Sequence, residues 1–335
     1  MQNMQNMQNT NKIFIILYST LYSYILATLP NYIFRDRANY LVYAEKSSEI
    51  LQQYNGISII SNEPLFLLIN TVLKSIFPLE IIPNVIVFFI SFTISYIILV
   101  RSKNMLLGIL GILCVLSIAQ VFHLQLVILR QGLATALLLW IVYFFWNKKY
   151  FLFLVFVLAF IHSSMLLIVF FFLVDKITKK YISHKVEYRI IVLLFISFST
   201  SILIIPIAEL LSMRQAKEYN DISSSVGGGN FILYSLILMT LITQQKKIFL
   251  DDGIYTVTII GISIYIGMYF ISPLSGRLIS TFTPFIICTL CYFNNLRSYL
   301  LLFIIISINS FIFYSTVINN SLTAEGILLL NNTFY

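Results

Sequence analysis

The sequence predicts an all-α polytopic transmembrane bundle, and three observations carry that prediction. Apolar residues (AVILMFWYC) make up 59% of the 335 positions. Asp, Glu, Lys and Arg make up only 10%, against about 25% in soluble domains. The apolar residues occur in long runs without the two-residue alternation of a transmembrane β-barrel. These features exclude a soluble globular protein, a disordered chain and a disulfide scaffold, and we expect about 9–11 spanning helices plus short re-entrant or interfacial segments.

The predicted elements follow from the apolar runs and the polar segments between them. Residues 1–11 contain three Met-Gln-Asn repeats and are predicted to be a disordered tail. Residues 12–318 are predicted to form a single transmembrane domain, followed by a short tail at 319–335. No A-x-A site precedes Pro30, so we expect a retained first helix over the run that begins at residue 13 rather than a cleaved signal peptide. The further predicted spans are 82–100, 105–119, 129–146, 189–206, 230–245, 254–271, 278–293 and 298–318.

Two apolar segments are special, and they decide the topology. Residues 63–77 are short and carry two charges, so we place them as a dip into the outer face. Residues 150–174 have basic clusters at both ends, which favours a hairpin with its tip at His162. Loops 31–62 and 207–229 are then outside. This topology puts 13 basic and 4 acidic residues inside and 8 basic and 9 acidic residues outside. The alternative, with both segments crossing once, stays open.

The formal charge of +8 is assigned to the cytoplasmic loops rather than to a nucleic-acid partner. Cys288 and Cys291 form a C-x-x-C inside an apolar run, but no second pair or nearby His completes a metal site. There is also no phosphate-binding glycine loop, H-E-x-x-H or D-x-D. The residues therefore predict no metal and no cofactor.

Polar residues near the ends of apolar runs predict the functional site, because charges there cost a few kcal/mol and usually have a reason. In the preferred topology they converge on the outer face. Arginine binds phosphate in a bidentate manner, histidine moves protons near neutral pH, and a carboxylate acts as base or orients a histidine. An interfacial arginine or a helix cap is the ordinary alternative reading. The predicted catalytic residues are His162, Glu63 and Asp36, and the predicted substrate-binding residues are Arg130, Gln131, Arg277, Arg214, Arg35 and Tyr40.

At these residues the sequence resembles a known family. The stretch Leu129–Ala134 (LRQGLA) resembles the "iRQglA" segment of the EpsG-like branch of Wzy-type polysaccharide polymerases. The family's later "iHxS" is matched by Ile161–Met165, and its "E-P/G-aromatic" helix start by Glu63–Phe66. The family's "D…Y" in the first outer loop is matched by Asp36 and Tyr40, its late arginine by Arg277 and its loop arginine by Arg214.

The resemblance implies a GT-C-like membrane glycosyltransferase in the bacterial plasma (inner) membrane. Such proteins join undecaprenyl-diphosphate-linked oligosaccharide repeat units at the outer face, without a nucleotide sugar or a metal. Products of this class are capsule, exopolysaccharide or O-antigen, and a chain-length regulator is an implied partner. His162 is then the first candidate base, with Glu63 second and Asp36 third, while Arg130 and Arg277 hold the diphosphate. An O-antigen-ligase-like transferase and a transporter of lipid-linked sugars are the alternatives.

Overall fold

A computed structural model describes residues 2–34, 36–54, 62–210, 228–244 and 252–320, and the regular structure in these ranges is helical. The all-α prediction is therefore confirmed. In chain order the helices are α1 (Gln2–Ala27), α2 (Arg37–Gln53), α3 (Pro64–Lys74), α4 (Ile82–Arg101), α5 (Met105–Ser117), α6 (Ala119–Leu126), α7 (Leu129–Phe145), α8 (Phe151–Val157), α9 (Met165–Tyr181), α10 (Val186–Leu210), α11 (Gly229–Thr243), α12 (Gly253–Met268), α13 (Leu274–Tyr292) and α14 (Leu296–Asn320). Single 3-10 turns cover Asn31–Ile33, Leu79–Ile81 and Leu158–Phe160.

In two of the apolar runs identified in the sequence, the helix is interrupted. The run 105–119 ends as α5 at Ser117, because Ile118 adopts an extended conformation (φ −80°, ψ 106°). The next helix, α6, continues at an angle of 78°. The run 150–174 is divided into α8 with its 3-10 turn and α9, and the break falls at His162.

The predicted outer loop 31–62 contains a regular helix, which the sequence pattern did not indicate. This helix, α2, has mixed polarity, and it packs on α3. Its buried face carries Arg37, Tyr40, Ala44 and Ser47. At the other predicted loop, α10 extends to Leu210 and α11 starts at Gly229, whereas 211–227 lie outside the described residues.

The first compact unit comprises Met1–Leu166 with Ile287–Tyr335. Its centre is α4, against which α1 and α7 pack, and whose Ile90, Ile94 and Ile97 are fully buried. The Trp140 Nε1 of α7 donates a hydrogen bond of 3.0 Å to the Thr93 hydroxyl of α4. This polar contact inside an apolar interface fixes α7, and with it the residues at its start.

The second compact unit comprises Leu167–Ile286, and α10 and α11 pack on α12 within it. The contact between α10 and α12 is close, because a Cβ at Gly267 would lie 1.9 Å from the Ser197 Oγ. The same Cβ would lie 2.9 Å from the Leu194 backbone oxygen, so this close approach of the two helices depends on glycine. The connection from α9 to α10 is held by a buried pair in which Arg189 Nε and Nη2 donate to the two carboxylate oxygens of Asp175, at 2.8 and 2.6 Å.

Four helical segments of the described chain are long and apolar enough to cross a membrane, and the bent pair α5–α6 makes a fifth if it is one span. The four are Leu79–Arg101, Val186–Leu203, Leu274–Tyr292 and Leu296–Phe313. Six further apolar helices are 10–17 residues long. The predicted 9–11 spans include such short helices. Length and composition alone therefore establish four or five spans in the described chain, and 9–11 spans stays a prediction.

Candidate active site

Glu63 lies between the described end of α2 and the first residue of α3. It has φ 58° and ψ 51°, and it is the one non-glycine residue with positive φ in the described part of the chain. Pro64 follows it at the first position of α3, where proline suits a helix start and disfavours the right-handed helical conformation at the residue before it. A left-handed glutamate costs about 1–2 kcal/mol and persists only where its surroundings hold it.

The contacts that hold Glu63 come from two distant segments of the first unit. Arg130 Nη1 donates to Glu63 Oε2 at 2.6 Å, and His162 Nδ1 lies 2.8 Å from Glu63 Oε1. The backbone N–H of Ser163 donates to the same Oε1 at 3.0 Å. The Glu63 side chain is 8% exposed, whereas those of Arg130 and His162 are 39% and 17% exposed. The cluster thus has a buried centre and an accessible edge.

Arg130 reaches this cluster because it is the second residue of α7. Its backbone N–H donates to the Tyr40 hydroxyl at 3.4 Å. Two residues later, a Cβ at Gly132 would lie 2.3 Å from the Leu124 carbonyl oxygen and 2.8 Å from the Ile90 Cδ1. The glycine therefore lets the start of α7 approach the end of α6, and the Arg130-Gln131-Gly132 sequence has a packing reason.

His162 reaches the cluster because the helix is interrupted there. Its backbone N–H donates to the Leu158 carbonyl at 3.0 Å, which ends one helical segment, and its carbonyl accepts from Met165 N at the start of α9. In the interruption the N–H of Ser163 has no helical acceptor and donates to Glu63 instead. The Ile-His-Ser-Ser sequence thus supplies both a side chain and a backbone donor to one carboxylate.

The electrostatics of Glu63 define the protonation of the cluster. Burial raises the pKa of Glu63, but the hydrogen bond and charge of His162, the charge of Arg130 and the Ser163 N–H outweigh burial and lower it to about 2. The carboxylate is therefore ionised at neutral pH and can only accept hydrogen bonds. Because a carboxylate only accepts, Nδ1 of His162 carries the proton of this contact, and in the neutral imidazole the lone pair is then on Nε2, for which the described residues provide no partner.

An aromatic cluster lies against the arginine. The guanidinium carbon of Arg130 is 5.5 Å from the ring centroid of Tyr43. Tyr43 and Tyr40 both pack edge-to-face on Phe66, with centroids 6.0 and 5.9 Å apart. Tyr40 is buried, and its burial, offset in part by Arg130, raises its pKa to about 12. The rings of α2 and α3 thus form one wall beside the Glu63–Arg130 pair.

A model of the EpsG family matches residues 13–331 of the sequence. The chain belongs to the EpsG family. A search of the curated proteins and a search of the solved structures found no match. The EpsG match covers Glu63, Arg130 and His162, and with the apolar helices it identifies a membrane protein of polysaccharide biosynthesis.

In this EpsG-family chain, none of the other predicted site residues discussed next is part of the Glu63–Arg130–His162 cluster as the structure describes it. Asp36 is half-buried at the start of α2 and acts electrostatically on His123. Gln131 is buried in α7 with 2% exposure. Arg277 is exposed on α13, in the part of that helix that belongs to the second unit, and Arg35 and Arg214 lie outside the described residues.

Arg37 is a residue whose place the sequence did not reveal, because the Arg35-Asp36-Arg37 triplet has the composition of a solvated loop. It is 1% exposed, and its Nε donates to the Leu126 carbonyl at 2.9 Å. Its Nη1 donates to the side chains of Asn31 and Asn84. The bond to Leu126 connects α2 with the last residue of α6, directly before α7. Arg37 therefore positions the segment that presents Arg130.

Residues that could ligate a metal are few at this site. Glu63 and His162 have suitable side chains, but no group of three or more His, Cys, Asp and Glu occurs in the described ranges. The groups that the site does offer are a carboxylate-bound imidazole and a partly exposed guanidinium. These groups can accept a proton and bind an anion.

Proposed function

We propose that this EpsG-family protein is a polymerase that joins undecaprenyl-diphosphate-linked oligosaccharide repeat units at the outer face of the bacterial plasma membrane. The observation that supports the proposal most is the single carboxylate of Glu63 that binds both Arg130 and His162. A glycosyl transfer from a lipid diphosphate needs one group for the departing diphosphate and one base for the acceptor hydroxyl. The cluster contains one candidate for each role.

Arg130 is assigned the role of binding the departing diphosphate. Its guanidinium has five N–H donors, Glu63 accepts from one nitrogen, and 39% of the side chain is exposed. Arginine pairs with phosphate through two parallel N–H bonds and keeps its charge at all relevant pH values. Oriented cationic donors at the leaving oxygen stabilise the charge that develops as the sugar–phosphate bond breaks. Arg277 is a second proposed diphosphate ligand, on the evidence of the family motif alone.

The base is assigned to the Nε2 of His162. Glu63 holds the ring through Nδ1 and stabilises the imidazolium that forms. The acceptor hydroxyl oxygen attacks the anomeric carbon, its proton passes to Nε2, and the electron pair of the broken carbon–oxygen bond leaves with undecaprenyl diphosphate. A single displacement of this kind inverts the anomeric centre. Glu63 is thus proposed to orient the base, and the proposed step assigns no role to Asp36, the third candidate.

The reaction as proposed takes its sugar from the lipid diphosphate, so it requires no nucleotide sugar, and Arg130 rather than a metal is proposed to neutralise the departing diphosphate. The proposed location at the outer face is supported by the excess of basic residues in the loops that the preferred topology assigns to the cytoplasm. A chain-length regulator is proposed as a protein partner on the same family grounds.

The test is a polymerisation assay with the purified protein in lipid nanodiscs. Lipid-linked repeat unit, extracted from cells that lack this chain, is added and the products are separated on a gel. We expect a ladder from the wild type and about 10²–10⁴-fold slower elongation by His162→Gln. His184→Gln replaces an exposed histidine outside the cluster and serves as the matched control.

Three outcomes would contradict the proposal. A ladder from His162→Gln at the wild-type rate would exclude His162 as the base. Transfer of one unit to a different lipid acceptor without a ladder would favour a ligase. Movement of intact lipid-linked unit across the bilayer of proteoliposomes, without any new glycosidic bond, would favour a transporter.

A further inference from the structure

Tyr43 differs from the other rings of the aromatic wall. Its neighbour Tyr40 is 4% exposed, and the Tyr40 hydroxyl accepts from the backbone of Arg130. Tyr43 is half-buried instead, and among the described residues its hydroxyl has no hydrogen-bond partner. Tyr40 therefore has a structural role, whereas part of the Tyr43 ring and its hydroxyl remain available to contact a ligand.

The orientation of Tyr43 is nevertheless fixed. Its ring lies 6.0 Å from Phe66 at an interplanar angle of 89° and 6.1 Å from Tyr40 at 52°. The guanidinium carbon of Arg130 is 5.5 Å from its centroid. A ring held on several sides loses little entropy when a ligand packs on its remaining surface.

A second tyrosine extends this surface. Tyr54 follows the last residue of α2, is half-exposed, and lies near enough to Tyr43, Arg130 and Glu63 to interact with each electrostatically. Its hydroxyl, like that of Tyr43, has no hydrogen-bond partner in the described ranges. One phenol, that of Tyr43, thus lies against Arg130, and a second, that of Tyr54, lies within electrostatic range of the Glu63–Arg130 pair.

This combination suits a sugar ring. One face of a pyranose carries C–H bonds that pack on an aromatic ring, and its hydroxyls bond to phenol hydroxyls, so tyrosine serves both parts. A sugar in a lipid-linked unit is bonded directly to the diphosphate. Because the Arg130 guanidinium carbon is 5.5 Å from the Tyr43 centroid, the first sugar of a ligand whose phosphate binds Arg130 is within reach of Tyr43.

We propose that Tyr43, with Tyr54 beside it, forms the binding subsite for the diphosphate-linked sugar of the donor, the residue whose anomeric carbon reacts. The proposal rests on the proposed function, because it takes the ligand of Arg130 to be a glycosyl diphosphate. Tyr43 contacts the sugar in this arrangement and determines which sugar is accepted next to the diphosphate.

The experiment compares two lipids on the purified protein in nanodiscs. One is undecaprenyl diphosphate without sugar, and the other is the lipid-linked repeat unit from cells that lack this chain. We expect Tyr43→Ala to bind the sugar-bearing lipid about tenfold more weakly and the sugar-free lipid as the wild type does. For the sugar-bearing lipid, the affinity of Tyr43→Phe is expected to lie between those of the wild type and Tyr43→Ala. Tyr32→Ala, which removes an 88% exposed tyrosine of the same region, is the matched control and should bind both lipids normally.

The outcomes separate this subsite from the function on which it rests. Equal weakening of both lipids by Tyr43→Ala would show damage to the Arg130 site, and unchanged binding of the sugar-bearing lipid would show that Tyr43 does not contact sugar; either result overturns the subsite. A wild type that shows the Tyr43-dependent preference but forms no ladder would retain the subsite and reject the polymerase.

Discussion

Among the described residues, each compact unit contains one carboxylate–arginine pair with a buried carboxylate, and the two pairs differ in geometry and exposure. Asp175 and Arg189 form a bidentate pair, with side chains 8% and 4% exposed, that joins α9 to α10. Glu63 and Arg130 form a monodentate pair in which the arginine is 39% exposed. Glu63 also binds His162 and has a left-handed backbone.

The difference shows how a structural pair and a reactive pair can be distinguished. At Asp175 each carboxylate oxygen is matched to one arginine nitrogen, so the pair is complete and closed to solvent. At Glu63 both carboxylate oxygens are bound, but Arg130 keeps unused donors and His162 keeps one ring nitrogen on an open edge. A site of the second kind is costly to hold, and it is expected where chemistry needs oriented, incompletely used groups.

The largest expected effect is the loss of activity in Glu63→Gln. The neutral side chain no longer stabilises an imidazolium at His162, so elongation in the nanodisc assay should fall about 10²–10⁴-fold. Glu63→Asp keeps the charge and should recover part of the rate. The control is Asp175→Asn, measured per folded molecule; a similar loss of rate there would show that the two pairs do not differ in function.

The second effect concerns stability. Asp175→Ala leaves the buried Arg189 without its partner, which typically costs about 3–5 kcal/mol. Thermal unfolding in detergent should therefore occur at a lower temperature than in the wild type. The double variant Asp175→Leu with Arg189→Met replaces the pair by apolar groups and should regain most of the loss. Failure of the single variant to unfold earlier would show that this pair does not stabilise the connection.

The third effect is the pH dependence of stability. The pKa of Glu63 is about 2 in the folded chain against 4.5 ordinarily, so its contribution is present above pH 4.5 and disappears as the pH falls toward 2. This amounts to about 3 kcal/mol at neutral pH. Unfolding temperatures of the wild type and Glu63→Gln should differ most above pH 4.5 and converge near pH 2. A difference that stays constant over this range would contradict the assignment.

The smallest effect is expected at Gly132. An alanine there places its Cβ against the Leu124 carbonyl, which is backbone and cannot move aside. Such overpacking costs about 1–3 kcal/mol and shifts the start of α7, so elongation should slow although Arg130 is unchanged. Gly228→Ala, where a Cβ meets no atom of the described residues within 4 Å, is the control. Normal elongation by Gly132→Ala would show that this glycine does not position Arg130.

Sequence patterns predicted much of the fold, because a membrane segment needs a continuous apolar run. The run 82–100 became α4 at Ile82–Arg101. The sequence patterns did not predict the break at Ile118, because it depends on one residue in an extended conformation. They also did not predict α2, because its mixed polarity reflects packing on α3 rather than contact with lipid.

Sequence reasoning also selected the members of the candidate site but not their arrangement. The sequence indicated Glu63, Arg130 and His162 because charged and polar groups at the ends of apolar runs are energetically costly and usually functional. That one carboxylate serves the other two depends on the fold, as does the left-handed backbone of Glu63. The burial of Arg37 was hidden because its acceptors, Leu126 and two asparagines, are remote or unremarkable in sequence.

The separation of the cluster along the chain has a consequence for biogenesis. Glu63 is synthesised 67 residues before Arg130 and 99 residues before His162. Its carboxylate lacks both partners until Arg130 has been synthesised and still lacks His162 for a further stretch of the chain. A chain that inserted α7 in the reverse direction would carry Arg130 to the opposite side of the bilayer and leave Glu63 unpaired. If α7 crosses the bilayer as the sequence predicts, the cluster forms only on chains that have inserted α7 in the predicted direction.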